Sequence, residues 1–270
     1  MTSSIGIFDS GFGGLSVLKE VVKVLPQYDY VYLGDTARAP YGNRTQDEIY
    51  TFTKEGILFL FEKGCELVIL ACNSASAEAL HILQIELIKG ENKNKRILGV
   101  IIPASEEAVE KTISKKVGVL GTEATISSRA FEREIKKINP SIEVFGVPAP
   151  LLVPLVESGK TSESEGVDVV VAEYTKYINK HAVDTVILGC THYEFLKECI
   201  QKNLPSVSLI TEGSLVASKL SSYLLRHRDI EERLSRCGKR SFFTTGETVL
   251  FDDLGSGFFG DKITSFKVSL

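Results

Sequence analysis

The chain has 270 residues, 43% hydrophobic and 24% charged, ordinary proportions for a globular protein with room for one large core or two moderate ones. A net charge of −4 without a long basic run excludes the electrostatic footprint of a nucleic-acid binder. No apolar run reaches membrane-spanning length, and Met1-Thr2-Ser3-Ser4-Ile5 lacks the basic start and apolar core of a secretory leader. The five cysteines are an odd count without a disulfide-scaffold pattern, so a soluble, cytoplasmic protein with reduced thiols and no membrane partner is expected.

Residues 4–9 read as a buried strand and Ser10-Gly11-Phe12-Gly13-Gly14 as a tight turn. Leu15, Val17, Leu18, Val21, Val22 and Leu25 then form one face of a helix stopped at Pro26. A second strand is predicted over 28–33, a polar loop over 34–44, and a helix over 46–63. Residues 65–71 are the next strand and 76–89 the next helix. After the polar break at 90–95 the pattern restarts, for Lys116-Val117-Gly118-Val119-Leu120-Gly121-Thr122 echoes Ser4-Ile5-Gly6-Ile7-Phe8-Asp9-Ser10. Further on, Asp184-Thr185-Val186-Ile187-Leu188-Gly189-Cys190-Thr191-His192 echoes Glu66-Leu67-Val68-Ile69-Leu70-Ala71-Cys72-Asn73-Ser74. Two echoes in the same order predict an internal duplication, and alternating strands and helices predict an α/β fold of two pseudo-symmetric, doubly wound lobes with parallel sheets. Residues 212–237 read as helix, and 241–244 and 266–268 as strands around a short helix at 247–254, a tail expected to pack back on the first lobe. The predicted division is 1–97 plus 212–270 for one lobe and 98–211 for the other.

Ligands of parallel α/β sheets bind at the carboxyl ends of strands. Asp9-Ser10, Cys72, Thr122 and Cys190 are all predicted to lie there, around a cleft between the lobes. A strand-end cysteine is by itself a common core residue. Two of them at matched positions of a duplicated unit point instead to a pair of thiols facing one small molecule. Cys65, Cys199 and Cys237 lack that context and read as structural. Asn73-Ser74 and Thr191-His192, just after the two cysteines, offer donors suited to a carboxylate, and they equally suit capping of the following helices. A thiol ionises at about pH 8.5 in water, so a thiol base needs a helix amino terminus or a polarising neighbour, for which Asp9 and His192 are candidates. The glycine-rich turn matches neither phosphate-binding nor dinucleotide-binding fingerprints. No Cys-x-x-Cys pair predicts a metal site, and no lysine adjoins the strand ends to carry pyridoxal phosphate. Proton transfer by side chains, with no cofactor, is the expected chemistry.

Several segments together carry a resemblance: Gly6-Ile7-Phe8-Asp9-Ser10-Gly11-Phe12-Gly13-Gly14-Leu15, Gly34-Asp35-Thr36-Ala37-Arg38-Ala39-Pro40-Tyr41-Gly42, Ala71-Cys72-Asn73-Ser74-Ala75, Gly121-Thr122-Glu123-Ala124-Thr125, and Leu188-Gly189-Cys190-Thr191-His192-Tyr193. With Phe243-Thr244-Thr245-Gly246 in the tail they span nearly the whole chain, which resembles the glutamate racemases, cofactor-independent members of the aspartate/glutamate racemase superfamily. The resemblance implies that Cys72 and Cys190 are the acid/base pair, Cys72 serving D-glutamate and Cys190 L-glutamate, with Asp9, His192 and Glu157 assisting. It implies glutamate binding by Asp9, Ser10, Pro40, Tyr41, Gly42, Asn73, Ser74, Thr191 and His192, with Thr122 and Thr125 nearby. It also implies a homodimer that supplies D-glutamate for peptidoglycan. Without it, Glu157 reads as a surface residue at a helix end and 39–42 as a turn. The chain departs from the family pattern at Ser74, where threonine is usual, and at Glu194, where proline is usual. Two rivals remain: an aspartate racemase, which typically carries an acidic residue in place of His192, and a solute-binding module, which has no need of paired thiols.

Overall fold

The computed structural model describes residues 3–270; Met1 and Thr2, which fall in the stretch judged to lack a leader, lie outside the described residues. Ten strands are found among the described residues: β1 (Ser4–Asp9), β2 (Tyr30–Gly34), β3 (Cys65–Leu70), β4 (Arg96–Gly99), β5 (Lys116–Gly121), β6 (Glu143–Pro148), β7 (Thr185–Gly189), β8 (Ser208–Ile210), β9 (Arg240–Thr244) and β10 (Ser265–Lys267). They form one sheet in the order β10-β9-β2-β1-β3-β4 and another in the order β6-β5-β7-β8. Every pairing is parallel. The second sheet repeats the β2-β1-β3-β4 order of the first, so β5 stands where β1 does and β7 where β3 does. That is the duplication expected from the two sequence echoes. Strands β1 and β7 are buried along their whole length, as strands covered by helices on both faces must be.

Register delivers the chemistry to one edge. Asp9 lies opposite Gly34 at the end of the β1–β2 pair, and Phe8 lies opposite Leu70, so the chain leaves β1 and β3 side by side. In the second sheet Gly121 lies opposite Gly189, so Thr122 and Cys190 emerge together as well. Helix Gly14–Val24 buries Leu15, Val17, Leu18 and Val21 and ends ahead of Pro26. Each such leucine contributes about 2–5 kcal/mol by the usual cost of truncating it to alanine. Helix Gln46–Glu62 starts on a capping box, in which the Thr45 hydroxyl accepts from the Glu48 amide and the Glu48 carboxylate accepts from the Thr45 amide.

Three segments differ from the sequence expectation. The helix predicted over 76–89 begins at Asn73, directly after Cys72, and breaks at Ala79 into Asn73–Glu78 and Leu80–Leu87. Its first turn consists of small buried residues and carries no apolar stripe, and the Ser76 hydroxyl ties it down by donating to the Leu70 carbonyl at 2.8 Å. The helix predicted over 212–237 stops at Arg226, and a short turn Arg228–Glu231 follows. Asp29 then captures the chain, accepting from the Ser235 hydroxyl at 2.7 Å and from the amides of Cys237 and Lys239 at 3.1 and 2.8 Å, which steers it into β9 beside β2. The tail helix runs on to Phe259 because Phe251 and Phe258 both pack on Phe12, with centroids 5.5 and 6.0 Å apart. In the tail, β9 and β10 complete the sheet containing β1. Among the described residues no helix is long and apolar enough to cross a membrane.

Candidate active site

Four strand ends open onto one cavity: Ser10 after β1, Cys72 after β3, Thr122 after β5 and Cys190 after β7 all line it. Asn73, Ser74, Thr191 and His192 line it from the turns that follow the cysteines, and Pro40, Tyr41 and Gly42 from the loop after β2. Glu157 reaches it from the end of helix Leu152–Glu157. Each sheet therefore contributes one thiol and one hydroxyl at its strand ends.

The loop after β2 is held by buried charge. Asp35, fully buried, accepts from the Tyr41 hydroxyl, from Arg38 Nε at 2.7 Å and from the Thr245 hydroxyl at 2.7 Å. Arg38 also pairs with Glu55 and lies over the Phe52 ring at 4.2 Å, so the carboxylate's negative charge is met on several sides. The loop approaches the second sheet so closely that a Cβ on Gly42 would stand 2.7 Å from Thr122 Cβ. Glycine is the residue that fits. On the facing side Ser74 Oγ and Thr122 Oγ1 are 2.9 Å apart, and Thr125 Oγ1 lies 3.0 Å from Thr122 Oγ1 and 3.4 Å from Ser74 Oγ. Thr122 also caps helix Glu123–Ser127 by accepting from the Thr125 amide at 3.2 Å. The Ser74 hydroxyl thus bridges the two sheets without the methyl group that threonine would add.

Around the second thiol runs a relay. Cys190 Sγ is 3.8 Å from His192 Nδ1, and His192 Nε2 is 3.1 Å from Glu157 Oε1. The carboxylate orients the imidazole, which places a titratable ring beside the thiol. The first thiol has a plainer setting, with Cys72 Sγ 3.5 Å from Ser10 Oγ. Burial pushes the Cys72 thiol up to about 11, and the charge of Asp9 adds to that, against hydrogen bonds from the Ser10 hydroxyl and the Ala75 and Ser10 amides. Burial likewise pushes Cys190 well above the ordinary thiol value, opposed by the His192 amide. Desolvation disfavours the thiolate at both positions.

Asp9 and Thr125 do not line the cavity. Asp9 lies beneath it, 1% exposed, accepting from the Gly11 amide at 2.8 Å and from the Thr191 hydroxyl at 3.5 Å. Burial raises its carboxyl above the usual range, with His192 and the Gly11 and Gly14 amides working the other way. The sequence suggested Asp9 as a polarising partner for a thiol, yet as an anion it resists thiolate formation at Cys72. Cys65, Cys199 and Cys237 are absent from the lining. Asn43, Pro150, Val153 and Pro154 line the cavity without having been singled out. Val153 stands one helical turn before Glu157, and Asn43 shares the short 3-10 turn Tyr41–Asn43, so each was within reach once its neighbour had been placed. A further unforeseen contact is made by Glu212, whose Oε2 accepts from Asn73 Nδ2 at 2.9 Å. Among the described residues no group of three His, Cys, Asp or Glu side chains is arranged to hold a metal ion.

The family model described as Asp/Glu/hydantoin racemase matches residues 5–219. A glutamate racemase of Geobacter metallireducens is 38% identical over 268 residues, covering 99% of this chain and 97% of the relative. The crystal structure of a glutamate racemase isoform from Bacillus anthracis superposes with a TM-score of 0.90 at 33% identity, covering 99% of this chain and 98% of that one. That of a Francisella tularensis glutamate racemase in complex with D-glutamate superposes with a TM-score of 0.89 at 33% identity over the same shares.

Proposed function

Because the chain belongs to the Asp/Glu/hydantoin racemase family, is an isomerase, and resembles glutamate racemases over nearly its whole length, we propose that it interconverts L- and D-glutamate by two-base proton transfer at Cα without a cofactor. The observation that carries this reading is the pair of buried thiols, one from each of two sheets that share a four-strand order, lining a single cavity. One cysteine as thiolate removes the Cα proton while the other, as thiol, delivers a proton to the opposite face; their roles exchange with direction. Cys72 acts on D-glutamate and Cys190 on L-glutamate.

The free protein resists this chemistry. A shift from 9.0 to about 11 at Cys72 corresponds to about 3 kcal/mol against the thiolate. The substrate ammonium, entering between the thiols, supplies the positive charge that offsets it. On the Cys190 side Glu157 holds the His192 ring with its Nδ1 within hydrogen-bond reach of the thiol, and Asp9 braces the floor through Gly11 and Thr191. Backbone and hydroxyl donors of Asn73, Ser74 and Thr191 receive the α-carboxylate, where charge builds as Cα loses its proton. Ser10, Pro40, Tyr41 and Gly42, with Thr122 and Thr125 opposite, shape the rest of the pocket. The lobes, taken as 1–97 plus 212–270 and 98–211, close over the substrate. In the cell such an enzyme works in the cytoplasm as a homodimer and feeds D-glutamate to peptidoglycan synthesis.

Circular-dichroism turnover of each enantiomer without added cofactor tests the activity, and the same assay with aspartate separates this reading from its nearest rival. Cα proton exchange in heavy water by Cys72→Ala and Cys190→Ala tests the mechanism. Undiminished racemisation by either variant would overturn the two-base assignment.

A further inference from the structure

The layer beneath the cleft holds a carboxyl group that the mechanism leaves unused. Glu212 is the first residue of helix Glu212–Arg226, where the chain crosses back from the β5–β8 sheet, and it is 4% exposed. Its Oε2 is bonded to Asn73 Nδ2, while its Oε1 and the Asn73 Oδ1 are both buried without a hydrogen-bond partner. Roughly nine in ten buried polar atoms are satisfied in folded proteins, so two orphans on one bonded pair mark a place where a partner is due. Glu212 also borders a small void shared with Ser16, Cys190, Thr191 and Glu194. It therefore sits behind the second thiol, while the amide it holds follows the first.

We propose that Glu212 is a positioning residue: it decides which end of the Asn73 amide is left for the substrate, and its charge bears on Cys190 rather than on Cys72. This rests on the two-thiol reading above. An asparagine offers NH2 at one end and a carbonyl oxygen at the other. When Glu212 is ionised it draws the NH2 group and leaves Oδ1, an acceptor suited to the substrate ammonium. When it is protonated its O–H can donate to Oδ1, which leaves the NH2 group as a donor suited to a carboxylate. One proton selects between two presentations of the same side chain.

The surroundings delay the loss of that proton as pH rises. Burial, then the charges of Glu194 and Asp9, push the Glu212 carboxyl well above the usual range, with only the Asn73 bond working against them. Glu20, Lys19 and Lys197 face Glu194, Glu20 packs close to Gly213, and His192 is engaged with Glu157, so the bonded partner of Glu212 is the neutral amide. The coupling to the thiols is one-sided. Glu212 shares its void with Cys190 while Cys72 stays outside that lining, and the Glu212 charge works with burial to raise the Cys190 thiol.

The full chain and its Glu212→Gln variant, which keeps the size and an acceptor oxygen for Asn73, are compared by iodoacetamide alkylation across the alkaline range. Cys72 and Cys190 are read separately by peptide mass spectrometry. The Cys190 profile is expected to move to lower pH in the variant by about one unit, about tenfold in rate on the rising limb, with Cys72 unmoved. No movement at Cys190, or equal movement of both thiols, overturns the proposal. A residue that only supports the fold would produce one of those two results. If the variant does not fold, the wild-type chain decides: the Asn73 side-chain amide resonances must shift with the titration of the Glu212 carboxyl, and a static amide refutes the coupling. Wild-type turnover of glutamate is measured alongside, so that failure of the racemase reading shows there and failure of the Glu212 assignment in the thiol profiles.

Discussion

Gly13→Ala should disable the cleft through a collision alone. Gly13 has φ −57° and ψ −38°, a conformation open to any residue, so backbone strain plays no part. An added Cβ would stand 2.1 Å from Thr191 Oγ1, 2.8 Å from Thr191 Cβ and 2.7 Å from His192 Nδ1, against the 3.4 Å at which ordinary contact begins. Rotating the Thr191 hydroxyl away would leave the Cβ clash in place, so the backbone at 191–192 must retreat by on the order of 1 Å. That retreat carries His192 away from Glu157 and Cys190. A misplacement of about 1 Å costs about 100-fold in rate, or about 3 kcal/mol of transition-state stabilisation. Overpacking costs about 1–3 kcal/mol of stability besides. Turnover of D- and L-glutamate by circular dichroism, with a thermal melt of the same sample, measures both. The two enantiomers have equal free energy, so kcat/KM must fall by the same factor in both directions. Gly257→Ala is the control: nothing lies within 4 Å of its added Cβ inside helix Thr248–Phe259, and a helix-interior alanine should stabilise by about 0.5–1 kcal/mol with activity unchanged. Gly13→Ala within threefold of wild type in kcat/KM would refute the steric reasoning.

Tyr41→Phe removes one of the three bonds to buried Asp35 and should cost about 1–3 kcal/mol of stability, with KM rising as the cleft loop loosens; an unchanged melt and KM would show that the Arg38 and Thr245 contacts suffice. Cys65→Ala should leave turnover intact and lower stability by about 1 kcal/mol, since that thiol lies in the core, is pushed up to about 12 by burial and stays out of the cavity; lost activity would mean the wrong cysteines have been assigned. Burial alone would raise the Asp184 carboxyl, but the Ser114 and Ile113 amides and the Thr112 hydroxyl outweigh it and hold the group down to about 2. Its charge therefore stabilises the fold above the ordinary value of 3.8, and that contribution is lost as pH falls through about 2. Asp184→Asn should melt below wild type near neutral pH, with the gap closing over that acid window; a gap constant with pH would refute the linkage.

The strands and the duplication were legible in the sequence because a strand buried on both faces writes itself locally, as a short apolar run ending in a small polar residue. The repeat of that run at 66–74 and 184–192 placed two cysteines at equivalent strand ends before any contact was known. Helix breaks were less legible, because Ala79 and His227 end their helices for reasons of packing that leave little local mark. Glu157 and Tyr41 drew attention by resemblance, and Glu212 by nothing at all; Glu157 and Glu212 acquire their roles from residues far along the chain, His192 for Glu157 and for Glu212 an asparagine 139 positions away. The sense of the thiol shifts was equally out of reach. Its place at a strand end nominated Asp9 as an aid to the thiolate, whereas in the folded protein its charge is an obstacle at Cys72. Periodicity is a property of neighbouring residues and survives in the linear text. Desolvation and charge coupling depend on what the folded chain brings together and shuts away from water, and only the tertiary structure decides that.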